Sequence, residues 1–304
     1  MRMREWRGGD ERQLPSLLEP DADPLWVAQF HTLHGPDRDG PEWRRTRVAV
    51  DAGDQMIGCA TVAKSLLHSR WPCAVEVAPH ARRLGVGTTL IETIRALPRD
   101  RAQPFSTKVR RRNTAAIAFV AAIGGREYQC SPGIVVDPRE SGVRRWVASR
   151  PLRNCRNLRD MDSAEVASAF AAVYEWIHEP WSPVTNKDLL LEVAAMEAAE
   201  VDRACSAGTW VDGRLSAVAF AFPSAQGFEV VAETMRPGEA NGIDAVANAV
   251  ALVLRSVASV SGSAVSFDSH VTDPHVQPVL AELPHASNDP LSLIEIARSR
   301  PSPD

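Results

Sequence analysis

Along the first half of this chain, runs that alternate apolar and polar residues give way to runs with apolar residues at helical spacing, in a definite order. Residues 46–51 and 55–63 are apolar-rich and joined through Ala52-Gly53-Asp54, a pattern that predicts a hairpin with a Gly-containing turn. Ahead of it, residues 25–34 are apolar at helical spacing and stop at Gly35-Pro36, the expected end of a helix. A third strand is expected over residues 73–78, a helix from Thr88 onward, and a short strand near 107–112. A second helix of small residues then runs from Asn113 to the terminator Gly124-Gly125. Further strands are expected near residues 126–135 and at 143–148.

Around Arg150-Pro151 the pattern restarts. Residues 152–158 read as a strand, and Asp162-Ser163-Ala164-Glu165 has the outline of a capping box. Residues 210–222 form a hairpin about Asp212-Gly213, residues 229–234 a strand, 243–256 a helix, 264–268 a strand and 276–283 a short helix. The same element order has occurred twice, which is an internal repeat of domain size. The expected division is a first domain over residues 1–149 and a second over 150–304.

The join between third strand and helix carries the most chemistry. Val77-Ala78-Pro79-His80-Ala81-Arg82-Arg83-Leu84-Gly85-Val86-Gly87-Thr88 breaks from an apolar run into Arg-x-x-Gly-x-Gly and continues as a helix. Gly85 and Gly87 permit a tight turn with outward N–H groups, and the positive N-terminus of the helix points at the same place. Arg82 and Arg83 add charge suited to a pyrophosphate. A plain strand-to-helix turn is the alternative. In the second copy the corresponding turn, Met235 to Gly242, has no such glycines and carries Glu239, which would repel an anion.

With Asn113-x-x-Ala116-x-x-Phe119 following about 25 residues later, residues 45–130 resemble the GNAT acyltransferase superfamily. The resemblance implies an α/β (α+β) protein made of two tandem GNAT folds, each a mixed, mostly antiparallel sheet flanked by helices. It implies acetyl-CoA or another acyl-CoA as co-substrate. The backbone at Val77 would pair with the pantetheine arm, the amides of Arg83, Leu84, Gly85, Val86, Gly87 and Thr88 would hold the pyrophosphate, and Asn113 and Phe119 would line the second wall. Two family features are missing: Val120 stands where a Tyr usually protonates the leaving thiolate, and Lys108 where several members carry a Glu base.

Charge sharpens this picture. Lys and Arg outnumber Asp and Glu by 27 to 18 in residues 1–160 and are outnumbered by 7 to 20 in residues 161–304, beneath an overall formal charge of −4. A basic first half suits a polyanionic donor, and an acidic second half could attract a cationic amine or simply dock on the first. The basic run Lys108 to Arg112 is read three ways: as a hold on the 3′-phosphate of CoA, as an RNA contact, or as a solvated edge. The sequence pI of about 6.1 and the lack of a stacking aromatic there weigh against RNA. The five cysteines are scattered and never in CxxC, so neither disulfides nor a metal site is expected. There is no run of about 18 apolar residues and no apolar stretch at the N-terminus, so the expected setting is the cytoplasm, with no membrane partner.

Candidates for the reaction itself are fewer. Glu76 lies one residue before Val77 on the opposite face of the strand and could deprotonate an amine; it could equally be a solvated carboxylate. His80, in the turn, is a second candidate base. His31 and His34 stand three apart on the predicted helix and are read as acceptor-site candidates. Trp176-Ile177-His178-Glu179-Pro180-Trp181 is read either as the wall of a binding loop, giving Trp176, His178, Glu179 and Trp181 as acceptor candidates, or as aromatic packing. The expected activity is transfer of an acetyl or acyl group from CoA to a small, cationic amine. The alternatives are a transferase that takes its acyl group from aminoacyl-tRNA or a carrier-protein thioester, and a non-catalytic CoA-binding sensor.

Overall fold

The computed structural model describes residues 1–97, 103–260, 263–287 and 289–297. They form two compact units, one of Met1–Val109, Asn113–Tyr128 and Leu293–Asp304, the other of Arg110–Arg112 and Gln129–Ser292. Each unit is built on a mixed seven-stranded sheet, and the described residues hold eight α-helices. In chain order the elements of the first half are β1 (Arg2–Glu5), α1 (Pro24–Leu33), β2 (Arg44–Val50), β3 (Met56–Ala63), β4 (Trp71–Val77), α2 (Val86–Arg95), β5 (Phe105–Arg110), α3 (Thr114–Ala122), β6 (Gly125–Ser131), β7 (Ile134–Val136) and α4 (Ser141–Ser149). Then come β8 (Cys155–Asn157), α5 (Ser163–His178), α6 (Lys187–Glu200), β9 (Ala207–Val211), β10 (Arg214–Ser224), β11 (Gly227–Thr234), α7 (Gly242–Val260), β12 (Ala264–Phe267), α8 (Val276–Glu282), β13 (Ala286–Ser287) and β14 (Leu291–Ile296).

The first sheet runs β1-β2-β3-β4-β5-β14-β6. Strands β1 to β4 are antiparallel, and β4 meets β5 in parallel. Helix α2 can lie close on β3 because Gly58 has no side chain: a Cβ there would come 3.0 Å from both Leu90 Cδ1 and Val86 Cγ1. The next residue, Cys59, points to the opposite face and meets His34 at the end of α1. The sheet thus has α2 on one face and α1 on the other. Helix α1 starts where it does because Asp23 accepts from the N–H groups of Leu25 and Trp26 and Pro24 presets the first turn. The helix expected ahead of the β2–β3 hairpin forms as α1, and two short 3-10 turns (Asp10–Arg12, Leu14–Leu17) stand in front of it.

The second sheet runs β13-β7-β12-β11-β10-β9-β8. Asp212 and Gly213 both take positive φ (48° and 76°), the requirement of a two-residue hairpin turn between β9 and β10. Asp162 and Glu165 form the complete capping box at the start of α5. Helix α7 is long and apolar enough by composition to cross a membrane, yet Val246, Val250, Val253, Leu254 and Val257 bury it in the core of this unit.

Three expectations need correction. Residues 143–148 are helical, not extended: Val143, Trp146 and Val147 recur at i, i+3 and i+4, and the first two are buried on one face. The strand expected near 126–135 is two strands, broken at Pro132-Gly133, where Gly133 takes φ 66°. The two parts pair in different sheets, and β14 returns to the first sheet, so the units do not divide at 149/150. A strand exchange of this kind leaves no local sequence signal.

Candidate active site

Strands β4 and β5 pair only at Trp71/Phe105 and Pro72/Ser106. Beyond Pro72 they part, and β5 continues beside β14. On its other edge β4 stays paired with β3 as far as Val77, and the N–H of Ala78 bonds Ile57 O. Since N–H and C=O groups alternate between the two edges of a strand, those of Val77 point into the parting. An extended amide-bearing ligand can pair there as a strand would once the Glu76 and Arg82 side chains that meet these two groups release them.

The turn after β4 supplies the anion-binding half. Arg83 (φ 64°) and Gly85 (φ 79°) are both left-handed, and Gly85 is the N-cap of α2 with no side chain capping the helix. Arg83, Leu84, Gly85 and Thr88 are exposed, so the free N–H groups of the first turn face solvent together with the positive end of the helix. Nothing lies within 4 Å of where a Gly85 side chain would start. A Cβ on Gly87 would come 3.1 Å from Phe119 Cε2 and 3.6 Å from Val77 Cγ2. Val77, Gly87 and Phe119 are thereby brought together, joining strand edge, helix start and second wall. This geometry fits the pantetheine and pyrophosphate of a CoA thioester.

Glu76 faces α1. Trp26 Nε1 donates to its Oε2 at 2.9 Å, the N–H of Val77 donates to Oε1 at 3.2 Å, and Arg82 Nη2 lies 3.4 Å from the same oxygen. Burial pushes the Glu76 carboxyl above the usual carboxylate range, against the pull of Trp26, the Val77 N–H and Arg82. Sequence patterns singled out neither Trp26 nor Glu19, which receives a 2.6 Å hydrogen bond from Arg82 Nη1. The Asp23-Pro24 cap was the available signal for Trp26, since it sets which face of α1 the indole takes.

Arg82 departs from its expected role. Its guanidinium turns onto Val77 O (Nε, 2.9 Å), Glu19 and Glu76 instead of standing beside Arg83 as a phosphate ligand. Asn113 is the N-cap of α3, its Oδ1 accepting from Ala116 N at 3.0 Å. Val120 is buried, with its Cγ1 packed where a Cβ on Gly125 would stand; it is a packing residue. Lys108 is exposed. The rest of the basic run is tied down: Arg110 Nη1 donates to Asp289 O, Arg111 Nε to Ser292 Oγ, and Arg112 lies 3.2 Å from Asp289 Oδ2. His80 sits exposed in the 3-10 turn Pro79–Ala81.

The two histidines of α1 are not a pair. His31 is exposed, whereas His34 ends the helix and is buried. Its Nδ1 meets Thr61 Oγ1 and Cys59 Sγ, and its ring packs edge-on against Phe30 at 4.2 Å. Burial, with the charges of Arg44 and His31, holds His34 down to about 3, so it is neutral in the folded protein. In the second unit Trp176 Nε1 donates to Thr234 O, the His178 ring lies between Tyr174 (3.9 Å) and Trp181 (4.5 Å), and Glu179 is exposed at the end of α5. These rings pack on one another and on His270.

The strand-to-helix turn of the second unit shares one feature with the first, a left-handed residue just before the helix. Asn241 (φ 56°) precedes α7 in the left-handed conformation, and Arg236 pairs with Glu239 at 3.1 Å. The ring of His275 fills the space at Gly242, where a Cβ would meet His275 Cδ2 at 2.5 Å.

Residues 10–124 match the model of the acetyltransferase (GNAT) family. No curated protein matches the chain in sequence. Solved structures share the fold over its whole length. A GCN5-related N-acetyltransferase from Sphaerobacter thermophilus is 16% identical, with a TM-score of 0.60 over 99% of this chain and 96% of that one. A tandem GNAT protein from the clavulanic acid biosynthesis pathway is 16% identical, with a TM-score of 0.55 over 97% and 94%. A GNAT-family acetyltransferase from Colwellia psychrerythraea is 9% identical, with a TM-score of 0.54 over 97% and 100%. The chain is a tandem of two GNAT folds.

Proposed function

We propose that the first unit transfers the acyl group of acetyl-CoA, or of another acyl-CoA, to the amine of a small cationic molecule by direct attack. The observation that carries this reading is the half-buried Glu76 carboxylate one residue from the open edge of β4 at Val77, beside the uncapped start of α2. Amides of the 83–88 turn bind the pyrophosphate, and the edge of β4 pairs with the pantetheine arm. Glu76 takes a proton from the acceptor ammonium; the neutral nitrogen forms the new C–N bond as the C–S bond breaks. The nitrogen sheds its second proton on becoming an amide, and the thiolate, a good leaving group, takes up a proton through solvent, which makes the absence of a Tyr at Val120 tolerable. Five free cysteines and this donor fit a cytoplasmic setting.

Calorimetry with acetyl-CoA and free CoA, followed by thiol release with a panel of mono- and polyamines, tests the reading. Acetyl-CoA at 100 times its Kd should stabilise the fold by about 2.7 kcal/mol. Glu76→Gln should keep donor binding and lose turnover by roughly two orders of magnitude or more. Failure of both CoA species to bind overturns the proposal, with aminoacyl-tRNA as the next donor to try. Binding without turnover on any amine favours a sensor.

A further inference from the structure

Arg82 occupies the motif position from which a phosphate contact is expected, yet its side chain is committed elsewhere. The guanidinium presents a rigid fork of N–H donors. Here the fork spans three acceptors: Val77 O at 2.9 Å, Glu19 Oε1 at 2.6 Å and Glu76 Oε1 at 3.4 Å. One of these acceptors is the Val77 carbonyl at the open strand edge, and another is the carboxylate beside it. Arg83, one residue on, is exposed and left-handed, so the charge available to a phosphate at this turn is its own.

We propose that Arg82 is a positioning residue for Glu76: anchored by Glu19, it holds the Glu76 carboxylate charged and oriented, and leaves the phosphates to Arg83 and the backbone amides. This rests on the reading of Glu76 as the group that deprotonates the acceptor. The surroundings of Glu76 make Arg82 decisive. From α1 comes the neutral indole N–H of Trp26. From β3 comes Cys59, the cross-strand partner of Glu76, whose thiol burial pushes up and keeps uncharged, and beyond it neutral His34. The segment before α1 brings Glu19, itself bound to Arg82. Arg82 is the one cation that acts on Glu76 among the described residues. Remove it, and a half-buried carboxylate keeps only two neutral donors against its desolvation.

The test needs no identified acceptor. In the full chain with 13C-labelled glutamate, the Glu76 carboxyl resonance, assigned with Glu76→Gln, is titrated in the wild type, Arg82→Gln and Arg82→Lys. The Glu76 midpoint should rise by about one pH unit or more in Arg82→Gln and by less in Arg82→Lys, which keeps the charge but not the fork. Acetyl-CoA affinity by calorimetry should stay within about threefold of the wild type. An unmoved midpoint in a folded Arg82→Gln protein overturns the proposal. So does an affinity loss of about tenfold with the midpoint unchanged, which would make Arg82 a phosphate ligand. Should Arg82→Gln not fold, Arg82→Lys decides, an unmoved midpoint again being fatal. A wild type that does not bind acetyl-CoA overturns the function proposed above, while the titration still reads the Arg82–Glu76 link by itself.

Discussion

Replacing Gly85 separates strain from charge at the start of α2. Its φ of 79° is a left-handed value that costs a residue with a Cβ roughly 1–2 kcal/mol, while the space around it is open, so no clash adds to that cost. Gly85→Ala reads the strain alone. Asn tolerates the left-handed region better, and Asn241 already occupies it before α7, so Gly85→Asn should lose little stability. Gly85→Asp has nearly the same shape with a charge added. One unit charge about 5 Å from another is worth about 3 kcal/mol at an effective permittivity of 20 and under 1 kcal/mol in bulk water. The exposed turn lies between these limits, so Asp should weaken acetyl-CoA binding on the order of 10- to 100-fold relative to Asn. Calorimetry with acetyl-CoA, alongside melts of the ligand-free variants, gives both quantities. Equal affinities for the Asn and Asp variants would refute the placement of the pyrophosphate at this turn.

Two other substitutions probe the site's supports. Asn113→Ala should destabilise the chain by about 0.5–2 kcal/mol through loss of the α3 cap, and Asn113→Asp should restore it, as chemical denaturation will show. For His34 the sign follows from its lowered pKa of about 3. The unfolded chain binds this proton below about pH 6.5 while the folded chain resists it, so stability falls as pH drops through that window, by about 1.4 kcal/mol per unit. Denaturation of wild type and His34→Gln at pH 7, 6, 5 and 4 should show a shallower decline for the variant; parallel curves would contradict a neutral buried His34.

What could be read from the chain was local. The β2–β3 and β9–β10 hairpins, the α5 capping box and the left-handed Gly85 each depend on a few adjacent residues whose conformational limits are strong. Residues 143–148 misled because so short a run with β-branched and aromatic residues is ambiguous between strand and helix, and the i, i+3 and i+4 spacing of Val143, Trp146 and Val147 is what decides for the helix. The placement of β6 and β7 in different sheets and the return of β14 depend on long-range pairing that no local pattern encodes. At the site, spacing put Glu76 and Val77 on opposite faces of β4, as they are. It could not show which way Arg82 turns, because that is set by Glu19, 63 residues away. His34 looked like a partner of His31 from its spacing, but the chain leaves the helix at His34 (ψ 143°) and the ring enters the core.

The two copies differ at the strand edge on which the proposed donor site rests. In each, the last residue of the strand turns its N–H and C=O away from the neighbouring hairpin strand: Val77 in β4, Thr234 in β11, where Met235 N bonds Ser216 O much as Ala78 N bonds Ile57 O. Each also has a glutamate just before it. In the second unit Glu233 is almost fully buried, accepts from Thr234 N at 2.7 Å and pairs with His275 at 2.7 Å, while Trp176 closes Thr234 O at 2.8 Å. A ligand would have to displace buried partners whose own polar groups would then lose their bonds, a cost of about 1–3 kcal/mol for each neutral group. In the first unit the same two backbone groups are met at 3.2 Å by a half-buried Glu76 and at 2.9 Å by a partly exposed Arg82, which can release Val77 while Arg82 stays on Glu19 and Glu76. The glutamate before the turn is common to both copies; whether water can reach its neighbours is what separates a strand edge that can release its side chains to a ligand, as proposed for the first unit, from one sealed by them.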